Sequence, residues 1–216
     1  MGNERVGEHD GRPWVSGVIL AAGASRRLGR PKQMLDLGDE PLLRHTVRHA
    51  LAAALHEVIL VLGSHADEIA EAVGDLGQRT IVNRDFAAGQ GTSLVAGIGS
   101  VSADADGMVV LLGDQPLVST AAIDRLVSAY RKRGAAIIQA AYQEAPGNPV
   151  LFHRSLFGEL AAVTGDEGAR SVVRRHRDEV VLVEVGDVAE VIDVDTEADY
   201  ARLVELCKAT SGGDGA

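Results

Sequence analysis

Short runs rich in Val, Ile and Leu alternate along this chain with longer stretches of helical periodicity, and that alternation most narrows what it can fold into. Parallel strands need crossovers long enough to hold a helix, so the pattern predicts an α/β domain: a Rossmann-like three-layer sandwich with a mainly parallel sheet. Strands are expected at residues 15–21, 58–62, 80–83, 108–112, 135–141 and 180–185, with a shorter one at 149–152. Helical spacing falls at 42–54, 66–73, 92–101, 121–133, 168–177 and 197–208. Ser119 and Thr120 open a helix that Gly134 closes, and Thr196 followed by Glu197 and Asp199 opens the last one. Residues 1–14 and 209–216 are polar and glycine-rich and are expected to fray around a single domain of residues 15–208.

Charge then narrows the partners. The chain carries 31 acidic and 21 basic residues, a formal net charge of −10, which repels nucleic acid and anionic lipid. With only 3% aromatic residues it lacks the rings for a base-stacking surface. Cys207 is the sole cysteine, so neither an intrachain disulfide nor a multi-cysteine metal site is available. No stretch approaches the roughly 18 apolar residues of a membrane span. The first fourteen residues lack the apolar core of a signal peptide. A cytoplasmic protein acting on small molecules, with no nucleic-acid or membrane partner, is the expectation.

One loop departs from the acidic background. The first strand runs into Leu20, Ala21, Ala22, Gly23, Ala24 and Ser25, small residues that let a ligand approach backbone N–H groups at a carboxyl strand end. Arg26, Arg27, Arg30 and Lys32 follow within seven residues. Exposed backbone donors beside clustered cations suit a polyphosphate. Neither G-x-G-x-x-G nor the Gly-Lys-Ser/Thr of a P-loop is present, so the loop is of another kind.

The segment LAAGASRRLGRPK resembles the signature of nucleotidyltransferases that act on the molybdenum cofactor, the MobA-like superfamily. Ala22, where a glycine would favour guanylyl transfer, points to the cytidylyltransferase branch; Leu28 replaces the usual Met. The resemblance continues in order through GQGTSLVAGI, GDQPLV, GNPVLF, GDEGAR and DVDTEADY, covering about Ser16 to Cys207. It implies the nucleotide-diphospho-sugar transferase type of fold, with Arg27 and Lys32 as phosphate-binding groups. It also implies a substrate nucleotide, CTP or GTP, and a molybdopterin-type phosphorylated acceptor.

The rest of the site combines position with that resemblance. Asp114 follows the apolar run 108–112, where a carboxylate suits a hard cation bridging phosphates, although Asp-x-Pro is also ordinary turn chemistry. The resemblance makes it a ligand of Mg²⁺, with Mn²⁺ as the alternative. Asp193 and Asp195 alternate with Ile192 and Val194 and share one face of an extended segment. Related sugar-nucleotide synthetases place a metal-binding acid in a D-T-x-x-D segment that maps onto Asp195, which could equally cap the last helix. Leu20 to Gly23, Gly89, Thr92 and Ser93 are the expected nucleotide-binding residues. Asn148, Pro149, Asp166 and Arg170 fall on the acceptor side by resemblance.

Other features read plainly. His45 and His49 lie one helical turn apart without a further ligand, Cys207 sits in an apolar helix pattern, and Arg174 to Arg177 form a charged helix end. Two further functions compete with cytidylyl transfer: guanylyl transfer to molybdopterin or another phosphorylated acceptor, and non-catalytic carriage of cofactor to a molybdenum hydroxylase apo-enzyme. A pigment-reducing branch of the family ranks lower, because no nicotinamide fingerprint is present.

Overall fold

The computed structural model describes residues 12–186 and 192–211; the fraying expected of residues 1–11 and 212–216 lies outside them. In chain order the elements are β1 (Val15–Ala21), β2 (Asp36–Leu37), β3 (Glu40–Pro41), α1 (Leu42–Ala52), β4 (Glu57–Leu62), α2 (Ala66–Val73), β5 (Arg79–Val82) and α3 (Gln90–Ile98). They continue as β6 (Gly107–Leu112), α4 (Thr120–Arg133), β7 (Ile137–Tyr142), β8 (Ala145–His153), α5 (Phe157–Ala161), α6 (Arg170–Arg175), β9 (Val180–Gly186) and α7 (Glu197–Ser211). Seven strands form one sheet in the order β5-β4-β1-β6-β8-β7-β9, and β2 pairs with β3 in a separate hairpin.

The sheet is parallel except for β8, which runs antiparallel to both β6 and β7. Its central strands are nearly continuous apolar runs, Ser16 and Glu57 excepted, because helices cover both faces. Val15, Ile19, Leu60, Val109 and Leu111 point to the layer of α1, α2 and α4; Val18, Ile59, Val61, Met108 and Val110 point to α3, α5 and α6. A third cluster, with Leu28, Leu35, Leu37, Leu42, Ile192, Val194 and Leu203, joins α7 to the loop after β1. Burial of each such aliphatic side chain contributes about 1.5–3 kcal/mol of transfer free energy.

One expectation needs correction. The short strand at 149–152 is nine residues long, Ala145–His153. Pro146, Gly147 and Pro149 hide its beginning, being poor strand formers. Its hairpin turn with β7 uses Gln143 and Glu144 at φ 50° and 68°, where Asn-Gly is the usual signal. The Glu184 carboxylate stabilises that turn from β9, accepting from the Gln143 and Glu144 backbone N–H groups at 2.9 and 3.2 Å.

Contacts at either end of the sheet extend the described structure by a few residues. Trp14 is anchored, its backbone N–H donating to the Asp106 carboxylate at 2.8 Å and its ring stacking on His56 with centroids 4.8 Å apart. At the other end α7 continues past Lys208 to Ser211. The caps behave as their chemistry dictates: Ser119 Oγ accepts from the Ala122 N–H, and Gly134 takes a left-handed φ of 60°.

Candidate active site at the carboxyl end of the sheet

The chain steps from β1 outward to β4 and β5, then crosses back through α3 to place β6 on the other side of β1. Such a reversal leaves a crevice at the carboxyl ends of the strands on either side of it. Here those ends are Ala21 and Leu112, and a cleft of about 460 Å³ opens over them. It is lined by Leu20 to Arg27 and Lys32 after β1, Gly113 and Asp114 after β6, Gly89, Gln90 and Ser93 at α3, and Asp166 and Asp195.

Charge is concentrated on its floor. Lys32 Nζ lies 2.5 Å from Asp114 Oδ2 and 2.9 Å from Asp195 Oδ1, and Arg27 lies 2.8 Å from Asp195 Oδ2. Burial lowers the pKa of the Lys32 ammonium, but Asp114 and Asp195 outweigh it and hold the group above its ordinary value. The Lys32 bond, working against burial, holds Asp195 below the usual carboxylate range. Asp193 moves oppositely, pushed up by burial and by the charge of Asp114. Asp193 and Asp195 do share one face, but only Asp195 reaches the cleft. Helix α7 is capped by Thr196, whose hydroxyl accepts the Asp199 backbone N–H at 3.2 Å while its own N–H donates to the Asp199 carboxylate, so Asp195 is released from that role.

The arginines have different partners. Arg27 and Arg30 bond Asp195 and Glu197 respectively, acids of the C-terminal segment, and of the three Arg26 and Arg27 line the cleft. Gln33, which sequence reasoning passed over, is buried and donates from Nε2 to the carbonyls of Ala21 and Gly23 at 2.9 and 3.1 Å. Ser25, at φ 49°, accepts the Lys32 N–H on its hydroxyl at 3.0 Å. These bonds fold the loop back on β1 and bring Lys32 over the strand end.

The other expected residues divide. Ser93 and Gly89 line the cleft, but Thr92 does not. Its hydroxyl is engaged within the fold, its one proton lying between the carbonyls of Gly89 at 2.8 Å and Asp85 at 3.0 Å while its oxygen accepts from Asn83. Asp166 reaches the cleft, while Arg170 starts α6 and Asn148 and Pro149 lie on β8, all three outside its lining. His45 Nε2 bonds the Leu37 carbonyl and His49 bonds Thr120, so the two do not converge. Cys207 packs on the third cluster, where burial pushes its thiol up, opposite to a nucleophile's need. Arg174 and Arg175 pair with Glu167 and Glu159.

The loop bearing Asp166 rests directly on the turn before α3. The Gly91 N–H donates to the Gly165 carbonyl at 2.9 Å, and a Cβ on Gly89 would lie 2.7 Å from that carbonyl and 2.8 Å from Asp166 Oδ1, at a φ of +118°. Gly89→Ala is therefore expected to cost more than about 1 kcal/mol and to push Asp166 away from the cleft. A urea midpoint equal to wild type would show that the contact is not made.

A family model described as the MobA-like NTP transferase domain matches residues 17–180. The chain belongs to this family. It is 34% identical over 201 residues to nicotine blue oxidoreductase from Paenarthrobacter nicotinovorans, covering 89% of this chain and 97% of that one. It is 30% identical over 198 residues to purine catabolism protein PucB from Bacillus subtilis, covering 87% and 95%. Among solved structures, Rv0371c from Mycobacterium tuberculosis in complex with manganese is 35% identical, with a TM-score of 0.78 over 89% of this chain and 98% of that one. MobA-like membership makes the chain a nucleotidyltransferase by family and establishes the expected fold type. No helix among the described residues is long and apolar enough to cross a membrane.

The carboxylates suit a divalent cation. Oxygens of Asp114 and Asp195, from segments 81 positions apart, already converge on one positive centre, the Lys32 ammonium. Hard cations take such oxygens and complete their shell from phosphate and water.

Proposed function

We propose that the protein transfers CMP from CTP to the terminal phosphate of a molybdopterin-type cofactor and releases pyrophosphate. The convergence of Lys32, Asp114 and Asp195 at the crevice between β1 and β6 carries this reading. An acceptor phosphate oxygen attacks the α-phosphorus, the bond to the bridging oxygen breaks, and its electron pair leaves with pyrophosphate. Phosphoryl chemistry of this kind needs positioning and charge neutralisation more than covalent help. Lys32 would hold the α-phosphate and Arg27 the departing pyrophosphate. Asp114 and Asp195 would hold Mg²⁺ or Mn²⁺, which when bound neutralises charge on the phosphates.

The cleft lining carries three cations, Arg26, Arg27 and Lys32, against three carboxylates, Asp114, Asp166 and Asp195. With Asp114 and Asp195 holding a divalent cation, Lys32 and Arg27 would be free to bind the triphosphate. Leu20 to Gly23, Gly89 and Ser93 face the nucleotide, and Asp166 faces the acceptor. Similarity to a purine catabolism protein over most of both chains fits delivery of the product to a molybdenum hydroxylase apo-enzyme.

Thermal shift with CTP, GTP, ATP and UTP, each with Mg²⁺ or Mn²⁺, tests the base. CTP at 100 times its dissociation constant should stabilise the protein by about 2.7 kcal/mol. A shift with GTP alone would replace cytidylyl with guanylyl transfer. Pyrophosphate release with acceptor and CTP separates catalysis from carriage. The oxidoreductase name of one relative supports a second reading, reduction of a pigment. NADH or NADPH oxidation without pyrophosphate release would favour it.

A further inference from the structure

Behind the two cleft carboxylates lies a contact that the chemistry above leaves unused. Gln115 is 1% exposed, and its Nε2 donates to Asp193 Oδ1 at 2.7 Å. Neither residue lines the cleft, yet each is the chain neighbour, or next but one, of a carboxylate that does. Beside this bond the Val194 N–H donates to the Asp114 carbonyl at 3.3 Å. These two bonds tie the turn after β6 to the segment before α7.

We infer that Gln115 is a positioning residue: by holding Asp193 it fixes Asp195 opposite Asp114, and so sets how tightly a divalent cation is held. Three observations support it. The orientation of the amide is determined, because turning it over would set Oε1 against the Asp193 carboxylate, acceptor to acceptor. Gln115 Oε1 is itself buried with no hydrogen-bond partner among the described residues, so Asp193 is what its side chain serves. Ile192 and Val194 are packed in the third cluster on the opposite face of the segment, which leaves the Asp193 and Asp195 side to be fixed by polar contacts. A group that orients a metal ligand typically changes affinity 10–100-fold when removed.

The inference rests on the metal reading, and the test separates the two. Mn²⁺ uptake by the full chain is measured from the paramagnetic resonance signal of free Mn²⁺, without nucleotide and without turnover. Gln115→Met keeps the length and removes the donor; it should weaken uptake about 10-fold while the metal-free melting temperature stays near wild type. Gln115→Glu places two carboxylates together and should weaken uptake further. Adding Asp193→Asn to it reverses donor and acceptor, and the double variant should recover to within about 3-fold of wild type. That comparison decides the matter even where Gln115→Met does not fold. Wild-type uptake by Gln115→Met, or a double variant no better than Gln115→Glu, would overturn the positioning role alone. A wild-type chain that takes up no Mn²⁺ would overturn the metal reading and this inference with it.

Discussion

Lys32→Ala is expected to lower nucleotidyl transfer about 10³-fold, roughly 4 kcal/mol in the barrier, while making divalent-cation uptake without nucleotide tighter. The two effects have opposite signs because one ammonium serves two ends. Lys32 Nζ bonds Asp114 and Asp195, so in the nucleotide-free protein it competes for the oxygens a metal would use. Removing it leaves Asp114 without that partner and Asp195 with Arg27 alone, which favours any cation that replaces the ammonium. Turnover nevertheless loses the positive group aimed at the α-phosphate. Pyrophosphate release gives the first quantity and Mn²⁺ titration the second. Turnover within a few-fold of wild type would remove Lys32 from the phosphate, and weaker Mn²⁺ uptake would show that the ammonium does not compete at that position.

The parts of this site visible in the sequence are those set by local rules. A continuous apolar strand followed by small residues and cations marks the carboxyl end of β1, and the same reasoning locates Asp114 after β6. The alternation of Ile192, Asp193, Val194 and Asp195 shows that the two acids share a face. What it cannot show is which acid reaches the cleft, because that depends on Gln115, 78 positions away, holding Asp193 behind it. Gln33 was invisible for a similar reason. An uncharged amide between Lys32 and Met34 gives no chemical signal until the loop reverses and brings the carbonyls of Ala21 and Gly23 within reach.

Hydroxyls mislead in the opposite direction. Thr92 stands in a glycine-rich turn before a helix, the position of a ligand donor, yet its Oγ1 is occupied by Asn83, Asp85 and Gly89. The Asn83 side chain that bonds it also bonds Ser93 Oγ at 3.0 Å. A residue buried at the end of β5 thus decides which surface the turn presents. The β7–β8 hairpin has the same character: Gln143 and Glu144 are poor turn residues alone, and Glu184 from a third strand stabilises the turn they form.

Asp114→Asn should abolish metal-dependent turnover almost completely while the protein still folds. The substitution conserves size, and its side-chain oxygen can still accept from Lys32, so the contacts around β6 persist. The bond from Val194 goes to the Asp114 backbone carbonyl and is indifferent to the side chain. Folding is thereby separated from charge, and only the formal anion is lost. Asp114 carries the larger share because its side chain is 18% exposed, against 37% for Asp195, and charge interactions strengthen as water is excluded. Asp195→Asn should accordingly weaken turnover less. Asp193→Asn should cost least, since its remaining oxygen still accepts from Gln115. Pyrophosphate release against Mg²⁺ and Mn²⁺ concentration, with melting curves for each variant, orders the three. Wild-type turnover by Asp114→Asn would discard the metal site, and equal losses from Asp193→Asn and Asp195→Asn would show that Asp195 has no special place in it.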